Sequence, residues 1–461
     1  MAVSYNKIIK YKIQAVCTGP LHVGNASGEK ASVLVHPVDN VPFIQASGIS
    51  GAFRSFYEMI FPGRVEDLFG AHSVEENENS YDYKSSIRFS DGVFQSGGQN
   101  AISMELRPRL ALDKTNGTVS SSKVVKNKAG HHFNMEYVGS GAVFTFYIFL
   151  YDETYKSDVE EMLYALHHEV IVLGGQKSNG CGGVRLVLDT SKAESDYGVR
   201  YKVFNMMQAS DRELWADEDS MKDADYDVLT FDSEDSSDYS YAYEITVNGK
   251  VENELLVKSI SIVGFEDEKP DAVNIRNARK EYIVPGSSFK GALRSQMERI
   301  AGYLKREDII EKTFGIKANA EGEGAIGNIR VLDAVVGDRV TNDQMPLSYR
   351  IHIDKFTGGV MQSQLFVTKN ITGNVNFKIC IADRNNPKES CGLVLLALRD
   401  LAIGSMSVGS GYNIGNGFIA VDCITIKNED GETAVLDFAN CKNENESMIK
   451  DCLQSVRGEG V

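Results

Sequence analysis

A short turn rich in glycine and serine, followed by two basic residues, is the part of this 461-residue chain best suited to bind an anion. The small residues and cations of this turn are Gly286, Ser287, Ser288, Gly291, Lys290 and Arg294. A turn of this type that opens a helix presents backbone N–H groups and the positive end of the helix dipole to a phosphate. Lys290 and Arg294 are four residues apart and therefore share one face of the predicted helix. Such contacts would bind phosphate without reading base sequence.

Two further glycine-rich segments are GGQKSNGCGG at 174–183 and GSMSVGSGYNIGNG at 404–417. Their glycines, including Gly415 and Gly417, allow another backbone to approach closely. Neither segment contains the GxxxxGK[ST] pattern of a P-loop, and the weak GxGxxG-like match at 409–415 does not follow a clear strand. We therefore predict no dinucleotide site.

The chain contains two copies of one pattern, about 240 residues apart. Gly51 corresponds to Gly291, and Arg54 corresponds to Arg294. Further correspondences follow in the same order, at offsets of 241 to 245: Leu68-Phe69-Gly70 with Thr313-Phe314-Gly315, Ile87-Arg88 with Ile329-Arg330, Asp91 with Asp333, and 109–114 with 350–355. The shared order of these matches indicates a duplication. Because the arginine is present in both copies, Arg54 is also predicted to contact phosphate, although Ser50 stands at the lysine position.

Hydrophobic spacing predicts the elements that position these residues. Strand-like alternation covers 5–16 and 241–247, and helical spacing follows both Gly-Ser turns in AFRSFYEMI and ALRSQMERIAGYL. Ser287 or Ser288 is the expected N-cap of the latter helix. Further helices are predicted at 157–172 and around 390–402. The order strand, helix, strands, helix, strand predicts an α+β protein made of two fused ferredoxin-like, RNA-recognition-type domains.

The charge of the chain is unevenly distributed. The net charge is -16, but residues 211–238 alone contain twelve acidic and two basic residues. This segment has few aliphatic residues and cannot form a core, so we expect it to be a solvated linker, with a partner-binding acidic arm as the alternative. The predicted domains are 1–205 and 241–461, joined by a linker at 206–240. The remaining charge leaves room for a local basic groove that binds nucleic acid.

Composition excludes several other classes of protein. No apolar run reaches the ~18 residues that a membrane-spanning helix needs, and the first residues have a charged, strand-like pattern rather than that of a signal peptide. The seven cysteines are scattered without a CxxC pair, which is typical of reduced cytosolic thiols and not of a disulfide framework or a zinc site.

The string VPGSSFKGALRS at 284–295 resembles the RAMP superfamily. A later Phe-Gly pair, the Ile-Asp-Lys-x-Thr-Gly element at 353–358 and the terminal glycine-rich loop contribute to the resemblance. More narrowly, the chain resembles the seventh Cas family, the repeated backbone subunits of type III CRISPR effector complexes. Its two fused copies resemble the tandem subunits of the type III-D variants. The first copy has diverged further, with QASG at 45–48 in place of VPGS.

This resemblance implies a cytoplasmic, prokaryotic subunit that binds guide (CRISPR) RNA, target RNA and other type III effector subunits, and no membrane. It implies that Lys290, Arg294 and Arg54 grip the guide. It also implies a thumb β-hairpin in each copy, near 113–136 and 354–372, that wedges between guide and target. The basic residues expected to contact RNA there are Lys123, Lys126, Lys128 and Lys355.

The resemblance further implies a residue that cuts target RNA, and Asp271 lies at the matching position in the loop before the Pro-Gly-Ser-Ser helix. A lone carboxylate can hold a divalent cation, Mg²⁺ or Mn²⁺, or orient a ribose 2′-OH for in-line attack. The first copy has Ala31 or Ser32 at this position, with Glu29 and Asp39 out of register. We therefore expect at most one metal-dependent cutting site, in the second copy.

Two alternatives remain open. The first is a purely structural guide-binding subunit without catalysis. The second is a stand-alone RAMP endonuclease that processes guide RNA, a class that usually relies on a general base near the start of the chain. His22 is the candidate for that base.

Overall fold

The structure is a computed structural model that describes residues 6–24, 32–76, 79–95, 102–110, 132–187, 199–217, 221–222, 225–229, 241–259, 270–316, 324–383 and 386–457. In the amino-terminal part, the elements are β1 (Lys7–Cys17), β2 (Phe43–Ile44), α1 (Ala46–Ile60), α2 (Val65–Phe69), β3 (Ala71–Glu76), β4 (Asn79–Tyr83), β5 (Ile87–Phe89), β6 (Gly92–Phe94), β7 (Met104–Leu110), β8 (His132–Val138), β9 (Val143–Leu150), α3 (Lys156–His167), β10 (Val184–Leu186), β11 (Val199–Asn205), α4 (Ala209–Ala216) and β12 (Asp227–Leu229). In the carboxy-terminal part, they are β13 (Tyr243–Val251), β14 (Ala272–Val273), β15 (Ile283–Val284), α5 (Gly286–Leu304), α6 (Asp308–Phe314), β16 (Gly315–Ile316), β17 (Ala325–Ile326), β18 (Ile329–Val331), β19 (Ala334–Val335), α7 (Arg339–Gln344), β20 (Ser348–Ile353), β21 (Val360–Lys369), β22 (Asn374–Ile381), α8 (Pro387–Ala402), β23 (Ile419–Asn428), β24 (Thr433–Asp437), β25 (Lys442–Glu444) and α9 (Glu446–Arg457).

The chain divides into two compact units. The first contains Met1–Met104, Tyr137–Lys177 and Cys181–Tyr239, and the second contains Glu105–Glu136, Ser178–Gly180 and Ser240–Val461. Residues 105–136 thus group with the second unit, whereas the sequence placed them in a first domain of 1–205. The described part of this segment shows the reason, because Glu105 and Arg107 make buried polar contacts to residues of the second unit.

In the first unit, the strands that flank the two long helices α1 and α3 lie in the order β5-β9-β1-β11, and each neighbouring pair is antiparallel. The strand β10 also pairs with β1, and β12 pairs with β11. Apolar residues of α1 recur every three or four positions, so they lie on one side of the helix and pack against the sheet. Residues of α3 complete the same core.

The second unit repeats this arrangement. Its strands lie in the order β18-β22-β13-β23, followed by β24 and β25 at the edge, and α5 and α8 cover one face. The ring of Phe289 on α5 stacks on Phe377 of β22 with 3.9 Å between centroids. The prediction of mixed helices and sheets in two repeated copies is therefore confirmed.

The two Gly-Ser turns form the first turns of helices rather than loops before them. The helix α5 begins at Gly286 with Pro285 as its N-cap, so the prediction of Ser287 or Ser288 as the N-cap is wrong. The N–H of Gly286 instead donates to Oδ1 of Asp333, 2.8 Å away. A carboxylate 47 residues along the chain thus replaces the local serine hydroxyl.

The acidic segment predicted as a solvated linker contains ordered elements. The helix α4 and the strand β12 lie within 206–240, and β12 extends the first unit's sheet by pairing Val199 with Leu229. Trp215 of α4 packs edge-on against Phe149 and Phe204 at centroid distances of 5.7 and 5.1 Å. These apolar contacts anchor a segment that is rich in acidic residues. Among the described helices, none is both long and apolar enough to cross a membrane.

Candidate nucleic-acid interface

One aspartate in each unit caps the helix that carries the repeated arginine, Arg54 or Arg294. Asp91 Oδ1 accepts the N–H of Ala46 at 2.7 Å, and Asp333 Oδ1 accepts the N–H of Gly286 at 2.8 Å. Each carboxylate satisfies an N–H that has no partner within its helix and lies near the positive end of the helix dipole. This N–H is consequently not available to a phosphate.

The glycines and serines of the turn have different surroundings. A Cβ on Gly286 would lie 2.1 Å from the carbonyl oxygen of Val331, so the backbones approach too closely for any other residue. Gly291 is exposed, with nothing within 4 Å of the position a Cβ would take. Ser287 and Ser288 are half-buried in the first turn. Packing therefore explains Gly286, and Gly291 is the glycine that leaves the helix surface open.

Lys290 and Arg294 lie on one helix face, against the ring of Phe314. Lys290 Nζ is 5.8 Å and Arg294 Cζ is 5.3 Å from the ring centroid, which are cation–π distances. Arg294 Nε also donates to Glu298 Oε1 at 2.9 Å. Burial, and then the positive charges of Arg294 and Arg109, lower the pKa of Lys290 to about 8. An anion placed among these three cations would relieve their repulsion and stabilise the charged lysine.

Arg54 takes a similar position in the first unit. Its Nη1 donates to the carbonyl oxygen of Gly70 at 3.3 Å, and Gly70 corresponds to Gly315, the residue after Phe314. The side chain is exposed on α1. Each copy therefore holds its arginine against the same Phe-Gly element, but only the second adds a lysine.

The element at 353–358 forms the tip of a β-hairpin made by β20 and β21. Asp354 Oδ1 accepts the N–H groups of Thr357 and Phe356 at 2.7 and 2.9 Å, as well as the Thr357 hydroxyl. The first of these bonds contributes most to holding the pKa of Asp354 below its usual value. Lys355 is exposed at the tip. The positions of Lys123, Lys126 and Lys128 lie outside the described residues.

Large apolar side chains are exposed along this hairpin. Phe356 at its tip is 93% exposed. The other exposed apolar residues of the hairpin are Tyr349, Ile351, Ile353, Val360, Met361, Leu365 and Phe366. Exposed apolar residues in such a concentration mark a surface that contacts another molecule.

Asp271 lies at the base of the same hairpin. Its Oδ2 accepts the N–H of Val367 at 2.8 Å, and its own N–H donates to the carbonyl oxygen of Val367 at 2.7 Å. The next two residues form β14, which runs parallel to β21. Across the described ranges, no three His, Cys, Asp or Glu side chains are grouped closely enough to hold a metal ion. Asp271 thus contributes one exposed carboxylate whose orientation is fixed through Oδ2.

The glycine-rich loops are shaped by close backbone contacts. A Cβ on Gly417 would lie 2.1 Å from the carbonyl oxygen of Val408, and one on Gly182 would lie 2.0 Å from that of Leu173. Both glycines have φ of +81°. Gly415 has φ of +87°, and the nearest atom to its Cβ position is 3.9 Å away. Of the two glycines predicted to approach RNA, only Gly415 therefore has space beside it.

The first-copy candidates for chemistry are poorly placed. His22 is 5% exposed, and its ring lies 5.5 Å from that of Tyr137. Asp39 is exposed beside His36, with 3.3 Å between Oδ2 and Nδ1. Ser32 is described, but the positions of Ala31 and Glu29 lie outside the described residues.

Part of this surface has no local signal in the sequence. The repeated pair of Asp91 and Asp333 is evident from the pattern, but its role in capping two helices is not. Arg109 is a repeat position, and its proximity to Lys290 depends on how β7 packs.

Both copies of the repeated pattern match a known protein family. The model of the RAMP superfamily matches residues 14–185 and 241–420. No curated protein matches the chain. Among solved structures, the chain is similar to one in the cryo-EM structure of the Type III-B Cmr-beta bound to cognate target RNA, with 18% identity and a TM-score of 0.29. That match covers 39% of this chain and 59% of the other, which is less than two thirds of its length. Because the family model matches both copies and more than half of the chain, the protein belongs to the RAMP superfamily.

Proposed function

We propose that this protein is an RNA-binding backbone subunit of a type III CRISPR effector complex in the prokaryotic cytoplasm. Its partners would be guide RNA, target RNA and the other subunits of the complex. The cluster of Lys290, Arg294 and Arg109 is the observation that carries the proposal, because three cations gather at one helix of a chain with a net charge of -16. Arg54 repeats the central arginine in the first copy.

The proposal includes two ferredoxin-like domains of the RNA-recognition type in a tandem, type III-D-like subunit. In each unit, the four strands that flank the two long helices lie in the order second, third, first, fourth, and the helices pack on one face. This order supports a βαββαβ topology.

Guide binding in this proposal is electrostatic. Lys290 and Arg294 neutralise phosphates of the guide without contacting base edges, so one subunit can accept guides of any sequence. The β20–β21 hairpin serves as the thumb of the second copy. Its exposed Phe356 would stack against a base at a break between guide and target.

Cutting of target RNA is assigned to Asp271. Mg²⁺ is usually held by one or two carboxylates together with substrate phosphates, so Asp271 could hold Mg²⁺ or Mn²⁺ only when RNA supplies further ligands. A cation bound there would offset the charge that develops on the scissile phosphate. The bond from Val367 N–H engages Oδ2 of this carboxylate, and in this proposal Oδ1 would bind the cation or the ribose 2′-OH.

A structural subunit without catalysis is the second candidate. The observation in its favour is that both bonds between Asp271 and Val367 already give the carboxylate a role in anchoring the hairpin. The third candidate, a guide-processing endonuclease with His22 as its base, is disfavoured because the imidazole is buried against Tyr137.

The proposal is tested by purifying the protein, or the complex that it forms, and extracting its nucleic acid. We expect RNA of defined length. An absorbance ratio typical of pure protein, in a preparation that elutes as a folded species at low salt, would contradict the proposal.

A further inference from the structure

The first unit has a cavity of about 520 Å³ beside its sheet. Its lining is basic and aromatic, and consists of Lys10, Lys12, Ala46, Arg88, Phe89, Ser90, Asp91, Tyr147, Phe149, Met221 and Tyr226. All of these residues belong to the first unit. The volume falls within the range of ~300–1,000 Å³ that is usual for small-molecule sites.

Strand register brings the cations and aromatic rings together. Phe149 of β9 lies opposite Lys10 of β1 on one side and Arg88 of β5 on the other. Tyr147 lies opposite Lys12. Because side chains alternate along a strand, these five residues share the sheet face opposite the hydrophobic core.

The rings and cations are in contact. Lys10 Nζ lies 4.7 Å from the centroid of Tyr147, and Arg88 Cζ lies 4.2 Å from that of Phe149. Lys12 Nζ lies 5.9 Å from the ring of Tyr226. Lys10 is only 4% exposed, which is unusual for a lysine.

The duplicated unit shows that the fold does not require this arrangement. The strand registers show which residues of the second unit stand at the same positions. Glu244 and Thr246 take the places of Lys10 and Lys12. Lys378 and Cys380 take the places of Tyr147 and Phe149. Only the arginine is kept, as Arg330 opposite Cys380. Lys378 and Glu244 form an ion pair of 2.9 Å. The aromatic and basic face is thus a feature of the first copy alone.

We propose that this cavity binds a nucleotide, with the base against Tyr147 and Tyr226 and the phosphate held by Lys12 and Arg88. Aromatic rings stack on any base, and adjacent cations neutralise phosphate. A site with both rings and cations therefore fits a phosphorylated nucleoside better than a free base or inorganic phosphate. Asp91 also lines the cavity, and its Oδ1 accepts a hydrogen bond from the N–H of Ala46. The ligand is a free nucleotide or one nucleotide of an RNA strand, and it is distinct from the phosphates assigned to Lys290 and Arg294.

The single tryptophan of the chain reports on this cavity. Trp215 packs edge-on against Phe149, with 5.7 Å between centroids. The full-length protein is titrated with AMP, with inorganic phosphate and with an eight-nucleotide RNA, while tryptophan emission is followed and affinity is checked by calorimetry. The variants are Lys12→Met and Tyr147→Leu in the cavity, with Lys378→Met as the control, because Lys378 is the lysine of the second unit that stands at the position of Tyr147. Circular dichroism melts confirm that each variant is folded, and Tyr147→Phe provides a milder change that keeps the ring.

We expect saturable binding of AMP that changes Trp215 emission. The affinity should fall about tenfold or more in Lys12→Met and Tyr147→Leu, and remain unchanged in Lys378→Met and Tyr147→Phe. The double variant Lys290→Gln/Arg294→Gln should keep this signal even if its guide binding is lost. Equal or tighter binding of the eight-nucleotide RNA, with the same sensitivity to the variants, would identify an RNA strand as the source of the nucleotide, and binding of AMP alone would identify a free nucleotide. Binding of inorganic phosphate as tight as that of AMP, or no response of Trp215 to either nucleotide ligand, would overturn the proposal.

Discussion

Arg107 Nη1 lies 2.7 Å from Oδ2 of Asp333, while the other oxygen of the same carboxylate caps α5 at Gly286. The side chains of Arg107 and Asp333 are 7% and 17% exposed. Arg107 also donates to Glu105, whose second oxygen accepts the N–H of Ala278. Asp333 therefore joins β7 to the first turn of the helix that carries Lys290.

Replacing Asp333 with asparagine should destabilise the second unit by about 3 kcal/mol, because it leaves the Arg107 charge buried with one partner fewer. Asparagine keeps an oxygen that can still cap Gly286, so the loss reports mainly on the ion pair. Urea denaturation measures the change, and hydrogen exchange at peptides from α5 localises it.

The matched variant is Asp91→Asn in the first unit, where the same cap has an exposed carboxylate. This substitution should lower the free energy of unfolding by less than about 1 kcal/mol, as for an ordinary helix cap. Equal destabilisation by the two substitutions would show that the Arg107 pair contributes nothing beyond the cap.

Neutralising the basic cluster should weaken RNA binding. In Lys290→Gln/Arg294→Gln, each lost phosphate contact should lower the log–log salt slope of the affinity by roughly one. Fluorescence anisotropy with guide RNA at several salt concentrations measures the slope. Arg299→Gln is the control, because Arg299 is exposed on the same helix and bonds only Gln296 within it. A slope equal to that of the native protein would show that neither Lys290 nor Arg294 contacts phosphate.

RNA affinity should also depend on pH near neutrality. The pKa of Lys290 is lowered to about 8, so its charge is present at pH 7 and mostly lost at pH 9. Affinity for guide RNA should therefore fall as pH rises through this range. In Lys290→Arg the dependence should disappear, because arginine keeps its charge throughout. A native protein that binds equally well at pH 7 and pH 9 would show that Lys290 does not meet phosphate as a cation.

Two substitutions at Asp271 separate cutting from anchoring of the hairpin. Asp271→Asn keeps an oxygen to accept the N–H of Val367 but loses the negative charge, so target RNA should bind normally and remain uncut. Asp271→Ala should lose cutting and also increase hydrogen exchange in β20 and β21. Removal of divalent cations with EDTA should reproduce the asparagine phenotype.

The matched control is Asp354→Asn at the tip of the hairpin, which changes a carboxylate of the same element away from the proposed site. It should cut at a rate close to that of the native protein. If Asp271→Asn cuts at the native rate, Asp271 anchors the hairpin and has no part in the chemistry. A target with 2′-deoxyribose at the scissile position should resist cutting in every variant that retains activity.

Local pattern was sufficient to predict most elements but not the contacts that join them. The alternation in 5–16 predicted β1, and the spacing of Phe53 and Phe56 predicted α1. The cap of α5 could not be predicted, because the sequence offered Ser287 and Ser288 locally while the fold used Asp333, which is brought close only by the sheet. The ordered part of the acidic segment was missed for a related reason, since one residue, Trp215, supplies most of its anchoring.

The close contact at Gly417 also affects how mutational scans of this protein should be interpreted. A methyl group there would overlap the carbonyl oxygen of Val408, and the duplicated Gly182 has the same conflict with Leu173. In a saturation screen scored by loss of RNA binding, both positions would rank among the least tolerant, although their intolerance arises during folding. Gly291, beside the basic cluster, has no atom within 4 Å of its Cβ position, so substitutions there should leave folding intact. Tolerance at a glycine of this protein thus reports the distance to the nearest backbone, and the ligand surface must be found from its charged neighbours.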